Sequence, residues 1–407
     1  MGTKMRVLAA LTGGVDSAVA AALAVDAGHD VTAVHMALSS EPQACRVGSR
    51  GCCSLEDSQD AARAAEILGV PFYVWDLSEQ FEETVIDDFL AEYRAGHTPN
   101  PCVRCNEFVK FKELLDRGRA LGFDAVCTGH YAKMVHGPDG CELHRGDDEL
   151  KDQSYVLAVM GRDELSHVLL PLGDAPSKAW VREQAEIRGL GVSNKPDSYD
   201  ICFIPDGDTG GFLERHLGSA PGQIVDEDGT VLGEHSGYYK YTIGQRKGLR
   251  IGTPSTSGKP RYVLATEPAT NTVVVGESTL LSVNTIATRN LVWQSAPEDL
   301  VVDEDAQEAF GTAMGARALR DVPENVFTVQ IRAHGTPTVV SALQIESGHD
   351  GDALEHLVVK LAEPIRGVAP GQSLVVYKGR RVVAEGTIAT AVRTAMSVSS
   401  SQRTNVA

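Results

Sequence analysis

The stretch Arg6-Val7-Leu8-Ala9-Ala10-Leu11-Thr12-Gly13-Gly14-Val15-Asp16-Ser17, followed by the alanine-rich run Ala18 to Ala27, decides the fold. Val7 to Leu11 reads as a short strand, and the alanines read as a helix ending near Gly28. Two glycines at such a strand-to-helix turn let backbone N–H groups come close to an anion at the helix N-terminus. The turn lacks the Gly-Lys-Ser/Thr ending of a Walker A loop, so it suits pyrophosphate better than a γ-phosphate cradle. Asp16 is a candidate Mg²⁺ ligand, and Thr12 or Ser17 candidate donors to phosphate oxygens. The plainer alternative is an ordinary βα turn in which Asp16 caps the helix.

Outward from this turn the α/β alternation continues. Val31 to Met36 and Phe72 to Trp75 read as strands, Leu55 to Leu68 and Phe81 to Tyr93 as helices, and Asp124 to Thr128 closes a parallel sheet covered by helices. The aperiodic stretch between Met36 and Leu55 reads as a mobile loop. A second irregular stretch, Val192 to Asp208, follows the helical run Lys178 to Arg188 and contains Cys202. After Gly218 the pattern turns to β, interrupted by an acidic, alanine-rich stretch from Pro297 to Arg320 that reads as an insertion or exposed helix. The expected organisation is an α/β catalytic domain over residues 1–217, a small central β domain over 218–282 and a C-terminal β-barrel over 283–395. A polar, disordered tail over 396–407 completes it.

The 407 residues, 43% hydrophobic and 23% charged, contain no apolar run approaching a membrane span. No signal-type cleavage pattern follows Met1 to Arg6, so cytoplasm is the default compartment. Eight cysteines in that setting point to reduced thiols with local roles. A net charge of −18 disfavours indiscriminate nucleic-acid binding and confines any RNA contact to a local patch. One candidate patch holds Lys240, Arg246, Lys247, Arg250, Lys259 and Arg261 among Tyr238, Tyr239, Tyr241 and Tyr262. A solvated hairpin surface is the alternative.

Several longer segments narrow the chemistry. They are Thr98-Pro99-Asn100-Pro101-Cys102-Val103-Arg104-Cys105-Asn106, Gly129-His130-Tyr131, Lys151-Asp152-Gln153-Ser154-Tyr155, Ser198-Tyr199-Asp200-Ile201-Cys202-Phe203-Ile204-Pro205 and Gly237 through Arg246. The loop Thr12 to Ser17 resembles the Ser-Gly-Gly-x-Asp-Ser signature of the PP-loop ATP pyrophosphatases, with Thr12 for the first serine. The whole set, in order and nearly end to end, resembles the bacterial tRNA-specific 2-thiouridylase family.

That resemblance implies ATP-dependent 2-thiolation of the wobble uridine of tRNA, with the adenine nucleotide held by Ala10 to Ser17, Met36 and Gly129. It implies Cys105 as nucleophile and Cys202 as persulfide carrier. Asn100, Pro101 and Cys102 would meet the target base, and His130, Lys151, Asp152, Gln153, Arg332, Ala333 and Gln372 the tRNA. Ala333 stands where many relatives have Tyr. A cysteine desulfurase or relay carrier must bring the sulfur, since the chain shows no rhodanese-like or pyridoxal-phosphate segment. Two alternatives stay open: Cys102 and Cys105 as half of a zinc site, which lacks a second Cys-x-x-Cys pair, or an iron–sulfur cluster held by Cys102, Cys105 and Cys202.

Overall fold

The computed structural model describes residues 3–39, 55–137, 140–196, 201–204, 206–252, 257–311, 319–347 and 355–393. The expectations for the loop that carries Cys45, Cys52 and Cys53 and for the tail lie outside these residues. No helix among the described residues is long and apolar enough to cross a membrane.

Five strands form the parallel sheet: β1 (Arg6–Ala10), β2 (Asp30–Ala37), β3 (Phe72–Asp76), β4 (Ala125–Cys127) and, further along, β7 (Val168–Leu169), in the order β3-β2-β1-β4-β7. The chain moves outward from β1 to β3 and then returns to the other side of β1. The strand order therefore reverses between β1 and β4, and such a switch point opens a crevice at the strands' carboxyl ends. Both faces of the sheet are covered. On one, the helix Val15–Asp26 lays Ala18, Val19, Ala20, Ala21, Ala22 and Ala24 against Val7, Ala9, Val31 and Ala33, where small side chains allow close helix–sheet approach. Helices Leu55–Leu68 and Lys178–Ile187 complete that layer.

The opposite face is closed by helical runs over 78–94 and 101–120, which bury Phe81, Val85, Val109, Leu114 and Leu115 against Leu8, Val34, Met36 and Val126. The second run starts where Asn100 Oδ1 accepts hydrogen bonds from the N–H groups of Cys102 (3.1 Å) and Val103 (3.4 Å), with Pro101 in the first helical position. That cap places Cys102 on the exposed first turn and Cys105 one turn later, pointing inward.

The β half consists of two sheets. Strands β8 (Gly222–Val225), β9 (Val231–His235), β10 (Arg261–Glu267) and β11 (Thr272–Glu277) make a four-stranded sheet. Strands β12 (Ser282–Trp293), β13 (Phe327–Gln330), β14 (Thr338–Ser347), β15 (Glu355–Arg366), β16 (Ser373–Lys378) and β17 (Arg381–Arg393) close on themselves through β12–β17 pairing, which removes the open edges of a barrel. The acidic stretch after Pro297 is less exposed than its composition implies. Its helix Glu304–Gly311 buries Gln307 and Phe310, the latter against Val326 and Val339, because one apolar face is enough to dock it on the barrel.

A hairpin of the first half, β5 (Ala132–Gly137) and β6 (Gly140–Arg145), extends the barrel's sheet through β17. It is fastened by Arg145, whose guanidinium donates to Asp152 Oδ2 (3.0 Å) and Gln330 Oε1 (2.9 Å) and lies 3.5 Å from the centre of the Tyr377 ring.

Candidate active site

The loop after β1 lies at the switch point. Gly13 has φ +75°, and a Cβ there would sit 2.3 Å from the carbonyl oxygen of Asp57. Only glycine satisfies both conditions. Gly14 is the N-cap of the helix Val15–Asp26 and no side chain caps that terminus, so the first N–H groups face the crevice with the positive end of the helix dipole behind them. Thr12 and Ser17 brace the turn from within: Thr12 N–H donates to Ser17 Oγ (3.1 Å), and Ser17 Oγ–H to the Gly14 carbonyl (3.1 Å). Gly129, just beyond β4, would bring a Cβ within 2.5 Å of Ser17 N, so its lack of a side chain sets the separation between the two halves of the crevice.

Two lysines that sequence reasoning passed over complete this loop. Lys178 Nζ donates to both oxygens of Asp16 (2.7 and 2.6 Å), and Tyr131 OH to Oδ1 (2.6 Å). Lys195 Nζ donates to the Gly13 carbonyl (3.0 Å), Asp57 Oδ1 (2.7 Å) and Asp60 Oδ2 (2.6 Å). Burial opposes the charge on Lys195, but its hydrogen bonds to Asp57 and Asp60 and their negative charge outweigh it, holding the ammonium above the usual lysine value. The only signal for Lys178 was its place after Ser177, whose Oγ accepts from Trp180 N–H as a helix cap. Lys195 carried none.

Ala10, Met36 and Cys105 belong to one buried apolar cluster, and Cys202 and Phe203 pack against it. The strands beside the glycine turn and the two cysteines thus converge although they lie far apart in sequence. Cys105 is 6% exposed whereas Cys102 is open to solvent. Among the described residues no group of three or more His, Cys, Asp or Glu side chains is placed to hold a metal ion, so neither a zinc site nor a three-cysteine cluster finds support. Cys127 is a buried strand thiol whose ionisation burial pushes up to about 12, which leaves it unreactive.

The remaining expected RNA residues differ in character. His130 is buried, bonded through Nδ1 to Thr128 Oγ1 (2.8 Å) and tilted against Phe111, and burial, aided by the Lys110 charge, holds it well below the usual histidine value. It is a neutral imidazole. The carboxylate of Asp152 is buried and accepts from Arg145, Gly146 N–H and both N–H and Oγ–H of Ser154. Gln153 Oε1 accepts from Tyr131 N–H (3.0 Å). Arg332 donates to the Gly367 carbonyl (2.6 Å), Ala333 packs beside a buried cluster, and Gln372 keeps a buried Oε1 without a hydrogen-bond partner. In the basic patch half-buried Lys240 pairs with Glu214 and exposed Lys259 with Glu277, Arg261 is half-buried, and Arg246, Lys247 and Arg250 are exposed.

Comparison with known proteins fits this geometry. Residues 5–206 match the family described as tRNA methyl transferase HUP domain, 210–277 the tRNA methyl transferase PRC-barrel domain, and 317–388 the aminomethyltransferase beta-barrel domain. A tRNA-specific 2-thiouridylase MnmA of Beutenbergia cavernae is 56% identical over 393 residues, 96% of this chain and 97% of that protein. The chain belongs to the tRNA-specific 2-thiouridylase family. Proteins of the same name from Streptomyces avermitilis (55% identical, covering 97% of each chain) and Kocuria rhizophila (55%, covering 94% of this chain and 97% of that one) agree.

Proposed function

We propose that this protein thiolates a tRNA uridine at C2 at the expense of ATP, the substrate being the wobble uridine of the anticodon. The observation that carries the reading is the shared cluster: Ala10 and Met36 beside the phosphate loop, Cys105 within it and Cys202 against it. ATP fits the crevice. The uncapped N–H groups from Gly14 onward would receive its phosphates, with Thr12 beside them, while buried Leu11 and closely packed Gly129 would hold the backbone of the turn in place. Asp16 is committed to Lys178, so a Mg²⁺ ion accompanying the nucleotide would gain this carboxylate only as Lys178 turns toward the phosphates. Mg²⁺ would supply charge neutralisation there.

The chemistry then follows from balance. The uridine O2 attacks the α-phosphorus, pyrophosphate leaves, and C2 acquires AMP as a leaving group in place of a poor oxide. The terminal sulfur of a persulfide on Cys202 attacks C2 and expels AMP, giving a Cys202–S–S–C2 link. The thiolate of Cys105 attacks Cys202 Sγ and breaks that S–S bond. This releases sulfur on C2 and leaves a Cys105–Cys202 disulfide, which a dithiol reductant reopens. The persulfide comes from a cysteine desulfurase or a relay carrier.

On the RNA side, Arg246, Lys247 and Arg250 offer exposed positive charge to phosphates, and Lys151, Arg332 and Gln372 would add further polar contacts. Neutral His130 would serve by hydrogen bonding or stacking rather than by charge, and Asn100, Pro101 and Cys102 would present the helix start to the target base. Asp152 and Gln153 would act by holding the neighbouring backbone. Incubating the protein with tRNA, ATP and a persulfide donor tests the reading: release of AMP and pyrophosphate should match 2-thiouridine formed, and Cys202→Ser should abolish the thionucleoside.

A further inference from the structure

Lys195 touches neither the crevice's N–H groups nor the cysteines, yet its ammonium is the point where three parts of the fold meet. It bonds the carbonyl of Gly13, Asp57 near the start of the helix Leu55–Leu68, and Asp60 one turn further on. Its own backbone is held in turn: Arg182 Nη1 donates to the carbonyls of Ser193 (2.5 Å) and Lys195 (2.9 Å). Arg182 lies one turn after Lys178 on the helix Lys178–Ile187, so a single helix grips the phosphate loop twice. Lys178 does so directly at Asp16, and Arg182 does so through Lys195 at Gly13.

A peptide unit is planar and trans, so the carbonyl of Gly13 and the N–H of Gly14 point in opposite directions. Drawing the carbonyl toward an ammonium on one side turns the N–H to the other. Gly13 needs such a constraint, because glycine at φ +75° has the widest choice of alternative backbone states. The flipped alternative would present a carbonyl oxygen to an incoming phosphate, which repels it.

We propose that Lys195 is a positioning residue of the nucleotide site, which locks the Gly13–Gly14 peptide so that the Gly14 N–H faces the phosphates. This rests on the ATP-dependent reading above. It is the preorganisation of a donor rather than a contact with ATP that Lys195 contributes.

The test is direct ATP binding by equilibrium dialysis, together with KM for ATP and kcat in AMP release with tRNA and a persulfide donor. Losing a charged hydrogen bond at this carbonyl should raise the ATP dissociation constant and KM of Lys195→Met about ten- to a hundred-fold, with a smaller change in kcat and unchanged affinity for tRNA. Lys195→Arg should recover part of the loss. Lys195→Met removes this cation from both Asp57 and Asp60, so Lys195→Met combined with Asp57→Asn, the more buried of the two carboxylates, serves as a second variant that removes the more costly part of the uncompensated charge. If the double variant melts as wild type and still binds ATP weakly, the lock is upheld. If either variant folds and binds ATP within twofold of wild type, or if ATP and tRNA affinity fall together with the melting temperature, the proposal is overturned. Absence of ATP binding by wild type would overturn the ATP-dependent reading instead.

Discussion

Glu385 projects from β17 into a small cavity between the barrel and the two helical runs, lined also by Asp88, Arg104, Glu107 and Ser373. It is 3% exposed. Burial raises its carboxyl from 4.5 to about 7; the hydrogen bond with Ser373 works against the shift, the Glu107 charge adds to it, and Arg104 subtracts. The folded protein therefore holds a proton at this site over a range in which the unfolded chain has lost it. Stability from this group is complete below the unfolded value and declines as pH rises through the folded one. A shift from 4.5 to about 7, at about 1.36 kcal/mol per unit, amounts to about 3 kcal/mol. Glu385→Gln keeps the shape and removes the titration. It should match wild type at about pH 4.5 and exceed it by up to about 3 kcal/mol at about pH 8. Asp88 and Glu107, also raised by burial in the same cavity, take up part of the slope in both proteins. Urea midpoints measured across this range give the comparison. Parallel profiles for the two proteins would refute the reasoning.

Other outcomes follow from the same geometry. Gly13→Ala must place a side chain where the backbone is left-handed, costing about 1–2 kcal/mol, and push Asp57 away, so calorimetry should show ATP binding lost. Asp152→Ala strands the Arg145 guanidinium inside the protein and should destabilise it by about 3–5 kcal/mol in urea unfolding, far beyond the effect of removing one surface RNA contact. Cys105→Ser should still accept sulfur on Cys202, seen as a persulfide by intact-protein mass spectrometry, but fail to release 2-thiouridine; full turnover would reassign the nucleophile, with exposed Cys102 as the next candidate.

The sheet was legible because β1 and its alanine helix have strongly local signals: a β run, a glycine pair, then small residues throughout the following turns. The glycine turn that opens this helix was legible for the same reason. Lys178 and Lys195 were not, since their partners Asp16 and Gly13 lie 162 and 182 residues away and only tertiary packing unites them. The burial of Asp152 was not legible either. No local pattern after Lys151 signals burial, and Arg145 from the hairpin, together with Gly146 N–H and Ser154, makes it tolerable. The hairpin itself joins a sheet whose other strands come more than a hundred residues later, a pairing that no local pattern records.

The central claim is that adenylation and the two cysteines act on one uridine. Nucleoside mass spectrometry of tRNA incubated with the protein, ATP and a persulfide donor under reducing conditions tests it most directly. The account predicts 2-thiouridine that requires ATP and disappears in Cys202→Ser. Pyrophosphate release without any thionucleoside, or thiolation undiminished in Cys202→Ser, would contradict it.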